Sequence, residues 1–231
     1  MADAPLLVAR RGAVLVLTLN RPEVRNAIDV PMAEAIAAAL AELDADPTLA
    51  VGVLTGEGKG FCAGMDLAAF AETGNRPWAG EGGFAGIVRK PPATPLIAAL
   101  EGFAVAGGFE IALACDLIVA AEGTKLGLPE TKRGLVAAGG ALRRLPRRLP
   151  AGLAMELALT GELTTADRVT PWAASSASSR GAAPSAQPSS SRSRSPRTAR
   201  SRWPPRSPCS SSSGPGAMTT SSSSRPGSSI R

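Results

Sequence analysis

The sequence predicts an α/β protein with a mainly parallel sheet. Two observations carry that expectation. Short apolar, β-branched runs alternate with helix-patterned stretches from about residue 13 to residue 160, and parallel strands need such crossovers between them. The strand-like runs also end in glycine-rich turns, where small residues let the backbone come close to a ligand.

In chain order, "AVLVLTLNRP" from Ala13 reads as a strand stopped by Asn-Arg-Pro. "VPMAEAIAAALAELDAD" from Val30 places Met32, Ile36, Leu40 and Leu43 at three- and four-residue spacing, which predicts an amphipathic helix with Asp29 as its cap. "LAVGVLTG" is a second, buried strand leading into "GEGKGFCAGMDL". The Pro- and Gly-rich residues 73–95 predict an irregular excursion. "LIAALEGFAVAGG" gives a strand and a turn, and "GFEIALACD" opens a helix. "LIVAAEG" returns as a strand and "KLGLPE" turns again, before two short helices in "GGALRRLPRRLP" and "AGLAMELALTG".

Composition divides the 231 residues in two. No Ser occurs before residue 173, yet 22 of the last 59 residues are Ser. The last acidic residue is Asp167, and the tail carries nine Arg without Lys, Asp or Glu. Removing those nine charges from the net +6 leaves residues 1–172 at −3. The expected organisation is a core over 1–171 and a Ser/Arg/Pro-rich tail over 172–231. With few large apolar side chains the tail lacks the burial that offsets ordering entropy, so disorder is expected there. GC-rich DNA read one base out of register yields Ser, Arg, Pro and Ala, so a frameshifted translation is the expected origin. An arginine–serine RNA-binding tract is the alternative.

The chain has no His and no Tyr. Ser-His-Asp and Cys-His arrangements, His-ligated zinc and an imidazole base are therefore excluded. Cys62, Cys115 and Cys209 are scattered without metal spacing and read as reduced thiols; no metal site is expected. No signal peptide or spanning apolar run is recognised, so the expected location is the cytoplasm. Carboxylates, Lys and backbone N–H donors remain to do chemistry.

"GEGKGFCAG" fits neither a dinucleotide nor a phosphate loop, because Phe61 stands where a third Gly is needed and no Lys precedes Ser or Thr. On spacing alone it is either a tight turn or a close-approach loop. Gly107 and Gly108 precede a helix, where N–H groups and the positive helix end converge. Two such corners brought together would make a two-donor oxyanion hole. Glu110, in the first turn of that helix, and Glu130, after a Pro, are either ordinary charges of a helix start and a turn or a working acid/base pair. A carboxyl in apolar surroundings has a raised pKa suited to proton transfer near neutrality.

"LNRPEVRNAI", "GKGFCAGMDL", "AVAGGFEIALACDLIVAAEGTKLGLPETKRGL", "GGALRRLPR" and "AMELALTGE" form an ordered series that resembles the crotonase (enoyl-CoA hydratase/isomerase) superfamily over residues 8–170. The resemblance implies a spiral of repeated ββα units. It implies that the N–H groups of Met65 and Gly107 meet the thioester oxygen of an acyl-CoA, and that Glu110 and Glu130 hold a water for addition to the 2,3 double bond of a trans-2-enoyl-CoA. Arg25 and the segment Ala63, Asp66, Leu67 and Ala68 fall where the family touches CoA. No cofactor is implied beyond the CoA of the substrate, and neither nucleic acid nor membrane is an expected partner. Family members carry further helices that cover the acyl site and pack homotrimers or hexamers. Those helices are expected to be missing here, compromising assembly and activity and exposing apolar surface. An enoyl-CoA isomerase, needing one carboxylate, and a non-catalytic protein acting through its basic tail are the alternatives.

Overall fold

The computed structural model describes residues 4–170 and, beyond them, the backbone of Ser176–Ser179. These lie in the first of two compact units, Met1–Arg194. The remainder of the 172–231 tail lies outside the described residues.

The main sheet begins with a hairpin of β1 (Leu6–Arg11) and β2 (Val14–Leu19), antiparallel with Leu6 opposite Leu19. From β2 onward every pairing in this sheet is parallel: β3 (Val51–Gly56), β6 (Leu96–Leu100), β8 (Leu117–Ala121) and β11 (Ser176–Ser179) follow in that order. Strand β2 alternates as expected of a sheet with one covered face, with Leu15, Leu17 and Leu19 fully buried. Helix α1 (Val30–Ala45) covers that core with Met32, Ile36, Leu40 and Leu43. It starts where the sequence predicts, because Asp29 Oδ1 accepts the Met32 N–H at 2.9 Å.

A second sheet is built from short pieces that follow the long strands. After β6 comes β7 (Phe103–Val105), and after β8 comes β9 (Lys125–Gly127); these two pair in parallel, and β10 (Thr164–Thr165) closes the edge antiparallel to β9. Cys62, downstream of β3, forms an isolated parallel bridge to Ala104 in β7. Each turn of the chain thus gives one strand to the large sheet, one short segment to the small sheet, and then a helix. The helices are α2 (Leu67–Thr73), α3 (Gly107–Ala114) and α4 (Ala141–Arg144). This is the repeated ββα spiral that the resemblance implied.

Helix α3 is buried along all eight residues, as befits a helix apolar on every side apart from one carboxylate. The 73–95 excursion holds a small hairpin, β4 (Trp78–Ala79) with β5 (Gly83–Phe84), where Arg89 stacks over the Trp78 ring at 4.3 Å. Helices α5 (Ala151–Thr160) and α6 (Ala166–Val169) follow α4. Met155 and Leu159 stand one turn apart on α5, and both are exposed. Among the described residues no helix is long and apolar enough to cross a membrane.

Candidate active site

The first corner of the site is the segment Ala63–Asp66. Gly64 O accepts the Ile28 N–H at 2.8 Å and Ile28 O accepts the Asp66 N–H at 2.9 Å. This parallel bridge uses the residues on either side of Met65, so Met65's own N–H faces the other way. Asp66 then caps α2, its Oδ1 accepting the Ala69 N–H at 3.0 Å and its Oδ2 accepting from Arg21 Nη1 at 3.0 Å. Burial raises the Asp66 pKa, but the Ala69 N–H and the Arg21 guanidinium outweigh it and the group sits below its ordinary value. Arg21 Nη1 also lies 3.1 Å from Asp29 Oδ2, tying the caps of α1 and α2 together.

The second corner is the start of α3. Ala106 takes φ 51°, a conformation uncommon for a residue with a β-carbon. Its N–H donates to Gly127 O at 2.9 Å and its carbonyl accepts from Phe109 and Glu110. That kink turns the Gly107 N–H away from the helix, where a first-turn donor has no intrahelical acceptor. Among the described residues neither the Met65 nor the Gly107 N–H has an acceptor. The two corners touch: Gly64, at φ 99°, is so close that a β-carbon on it would lie 2.9 Å from Gly107 N. The Phe84 ring packs over Gly107 from the excursion.

Glu110 follows one turn into α3 and is 4% exposed. Its Oε1 accepts the Ala141 N–H at 3.0 Å. Burial pushes its pKa above the usual carboxylate range, against the opposing pull of the Ala141 and Gly139 N–H groups and of Arg144. Glu130 sits in the 3-10 helix Pro129–Arg133. Its Oε2 is buried and, among the described residues, has no hydrogen-bond partner. Its pKa is also raised, first by burial; its own backbone N–H opposes the rise and the charge of Glu110 adds to it. The two carboxyls therefore feel each other, and a pair with unequal surroundings can hold one proton between them.

Of the nine site residues read from the sequence, Met65 and Gly107 are joined through Gly64, Glu110 lies one turn on from Gly107, and Glu130 is near enough for the Glu110 charge to raise its pKa. Arg25 and Ala63 are adjacent, the Arg25 carbonyl accepting the Ala63 N–H at 3.1 Å, with the Arg25 side chain exposed. Leu67 and Ala68 are exposed on the first turn of α2. Asp66 is turned inward, with both oxygens engaged. Asn26 escaped the sequence reading: it is buried at φ 54°, its Nδ2 donates to Glu57 O and Gly60 O at 2.9 Å each, and its Oδ1 accepts the Arg21 N–H at 2.9 Å. The only local signal for it is a polar residue between "EVR" and the apolar "AI". Arg144 was missed as well, hidden within an arginine-rich run.

Similar proteins share this arrangement of elements. The chain is 44% identical over 171 residues to mevalonyl-coenzyme A hydratase of Beauveria bassiana, a match covering 69% of this chain and 61% of that one. It is 43% identical over 171 residues to carnitinyl-CoA dehydratase of Salmonella enteritidis, covering 72% and 65%. It therefore spans less than two thirds of the length of these relatives. Among solved structures, an enoyl-CoA hydratase from Mycobacterium marinum superposes with a TM-score of 0.71 at 51% identity, covering 74% of this chain and 67% of that one. A carnitinyl-CoA hydratase from Mycobacterium avium gives 0.73 at 41%, covering 77% and 70%. Residues 9–173 match the enoyl-CoA hydratase/isomerase family model. The chain belongs to the enoyl-CoA hydratase/isomerase family, the crotonase superfamily.

Proposed function

We propose that the chain is a hydro-lyase of acyl-CoA thioesters, adding water across the 2,3 double bond of a trans-2-enoyl-CoA and, in reverse, removing it from a 3-hydroxyacyl-CoA. The observation that carries this reading is the buried, unpartnered Oε2 of Glu130 beside the charge of Glu110. A carboxylate oxygen desolvated without a partner is costly, and a water held between the two carboxyls relieves that cost while standing ready to react.

In this reading the substrate's thioester oxygen accepts the Met65 and Gly107 N–H groups. One carboxylate takes a proton from the water as its oxygen bonds to C3. The C2=C3 electrons move toward the thioester, giving an enolate whose oxygen charge the two donors stabilise. The neutral carboxyl then delivers a proton to C2, so the net change is H and OH added across the bond. Each such donor is worth about 2.7–4 kcal/mol to the transition state. Raised carboxyl pKa values suit both halves of the proton movement. No cofactor enters beyond the CoA of the substrate. Arg25, Ala63, Leu67 and Ala68 border the donor corner and would meet the CoA, while Asp66 contributes by holding the backbone on which Met65 sits. The relatives named above as a hydratase and a dehydratase support water addition over isomerisation.

Hydration of crotonyl-CoA, followed by loss of the enoyl absorbance, tests the reading. Glu110→Gln and Glu130→Gln should each lower kcat about 10²–10⁴-fold. A parent chain that migrates the double bond without hydrating it, with that migration undiminished in Glu130→Gln, would make the chain an isomerase. No turnover of either kind by the parent chain would overturn the assignment.

A further inference from the structure

The Glu110 carboxylate is held by a loop with little regular structure of its own. Ala141, its 3.0 Å donor, begins a helix of four residues, and the two residues before it are Gly139 and Gly140. The approach is tight, since a β-carbon on Gly139 would lie 2.5 Å from Glu110 Oε2. One side chain braces the loop. Arg144 Nη1 donates to Gly139 O at 3.0 Å, and its Nη2 donates to Val88 O. Val88 is buried in the excursion whose Phe84 packs over Gly107. A single guanidinium thus joins the loop that grips Glu110 to the segment that covers the donor corner.

We infer that Arg144 is a positioning residue for Glu110, its two-pronged grip on the Gly139 and Val88 carbonyls fixing the Ala141 N–H against the carboxylate. A lysine cannot reproduce this, because an ammonium lacks the planar fork that spans two acceptors. The charges bearing on Glu110 are Glu130 from the 3-10 helix and Arg144 from α4; those bearing on Arg144 besides Glu110 are Arg143, Arg148 and the Cys115 thiol. Arg144 keeps its proton at any working pH, so it also supplies a fixed positive charge beside the pair.

The inference rests on the reading of Glu110 as catalytic only for its kinetic consequence, and the test separates the two. The full chain is compared with Arg144→Lys and Arg144→Gln by hydrogen exchange of the Ala141 amide, by NMR titration of glutamate carboxyls assigned with Glu110→Gln, and by kcat and KM for crotonyl-CoA. Both variants should exchange the Ala141 amide about tenfold faster or more. Both variants should move the Glu110 midpoint upward, because each loosens the Ala141 and Gly139 N–H groups that hold it down, and Arg144→Gln should move it further because it also removes the charge. In both, kcat should fall about 10–100-fold with KM within about twofold. Unchanged Ala141 exchange in Arg144→Lys overturns the inference whether or not the chain turns over substrate. If Arg144→Gln fails to fold, that same variant decides. A parent chain that never hydrates, with the exchange and titration changes present, overturns the proposed function and leaves the positioning role standing.

Discussion

Gly64 lies against the backbone nitrogen of Gly107: a β-carbon on the first would stand 2.9 Å from the second. The contact joins the turn after β3 to the start of α3, bringing the backbone of Met65 and of Gly107 into the same neighbourhood. Gly64→Ala meets both this contact and the strain of φ 99°. It should lower kcat for hydration about 10²–10³-fold, as loss of one oxyanion donor does, and cost about 1–3 kcal/mol of stability. Steady-state kinetics and urea unfolding measure the two effects.

Glu130 gives stability a definite pH dependence. Burial, with the Glu110 charge adding to it, holds its carboxyl above the ordinary value of 4.5. The folded chain therefore binds this proton more tightly than the unfolded chain. The resulting stabilisation is full below the unfolded value and is lost as pH rises through the raised folded value. Glu130→Gln removes the penalty of the buried charge, so its Tm should exceed the parent's at about pH 8 and converge with it near about pH 4. Calorimetric scans across that range check the sign.

Asn26 satisfies three backbone groups from one buried amide, two in the loop at Glu57 and Gly60 and one at Arg21. Asn26→Leu strands all three and places a bulky residue at φ 54°. A loss of about 2–5 kcal/mol is expected. It should appear as a lower urea midpoint with an unchanged slope.

The outer face of α5 carries Met155 and Leu159 at 58% and 68% exposure. Their burial contributes little to the fold, so Met155→Glu with Leu159→Lys should leave Tm within a few degrees while adding a favourable i,i+4 pair of about 0.2–0.5 kcal/mol. Self-association, followed by sedimentation or light scattering, should weaken in the double variant. Equal association by parent and variant would show that this face takes no part in it.

The sequence made some elements legible and hid others for identifiable reasons. Helix α1 shows itself through a cap at Asp29 and a periodic apolar face, both local signals. Helix α3 lacks a polar face to define a period, and its start is marked instead by the Gly pair. Strand β1 goes unseen because only Leu6 of its six residues is buried, leaving no alternation to read. Strands β7 and β9 are three residues each and merge with the turns around them. The resemblance placed Glu110, Glu130, Met65 and Gly107. What it could not reveal were couplings across long chain separations, such as Arg144 to Val88, Arg21 to Asp66 and Asn26 to Gly60. Those depend on the spiral bringing distant turns together.

The donor at Met65 is a peptide N–H aimed by the bridge of its neighbours to Ile28, and its own side chain only packs against the core. In the proposed reaction the demand on sequence thus falls beside the working group rather than on it. For that reaction, residue 65 should tolerate side chains of similar bulk, while residues 64 and 106–108, which never touch the chemistry through a side chain, should not tolerate larger ones. A saturation library scored for turnover would trace the proposed oxyanion hole as a ring of intolerant small residues around a permissive centre.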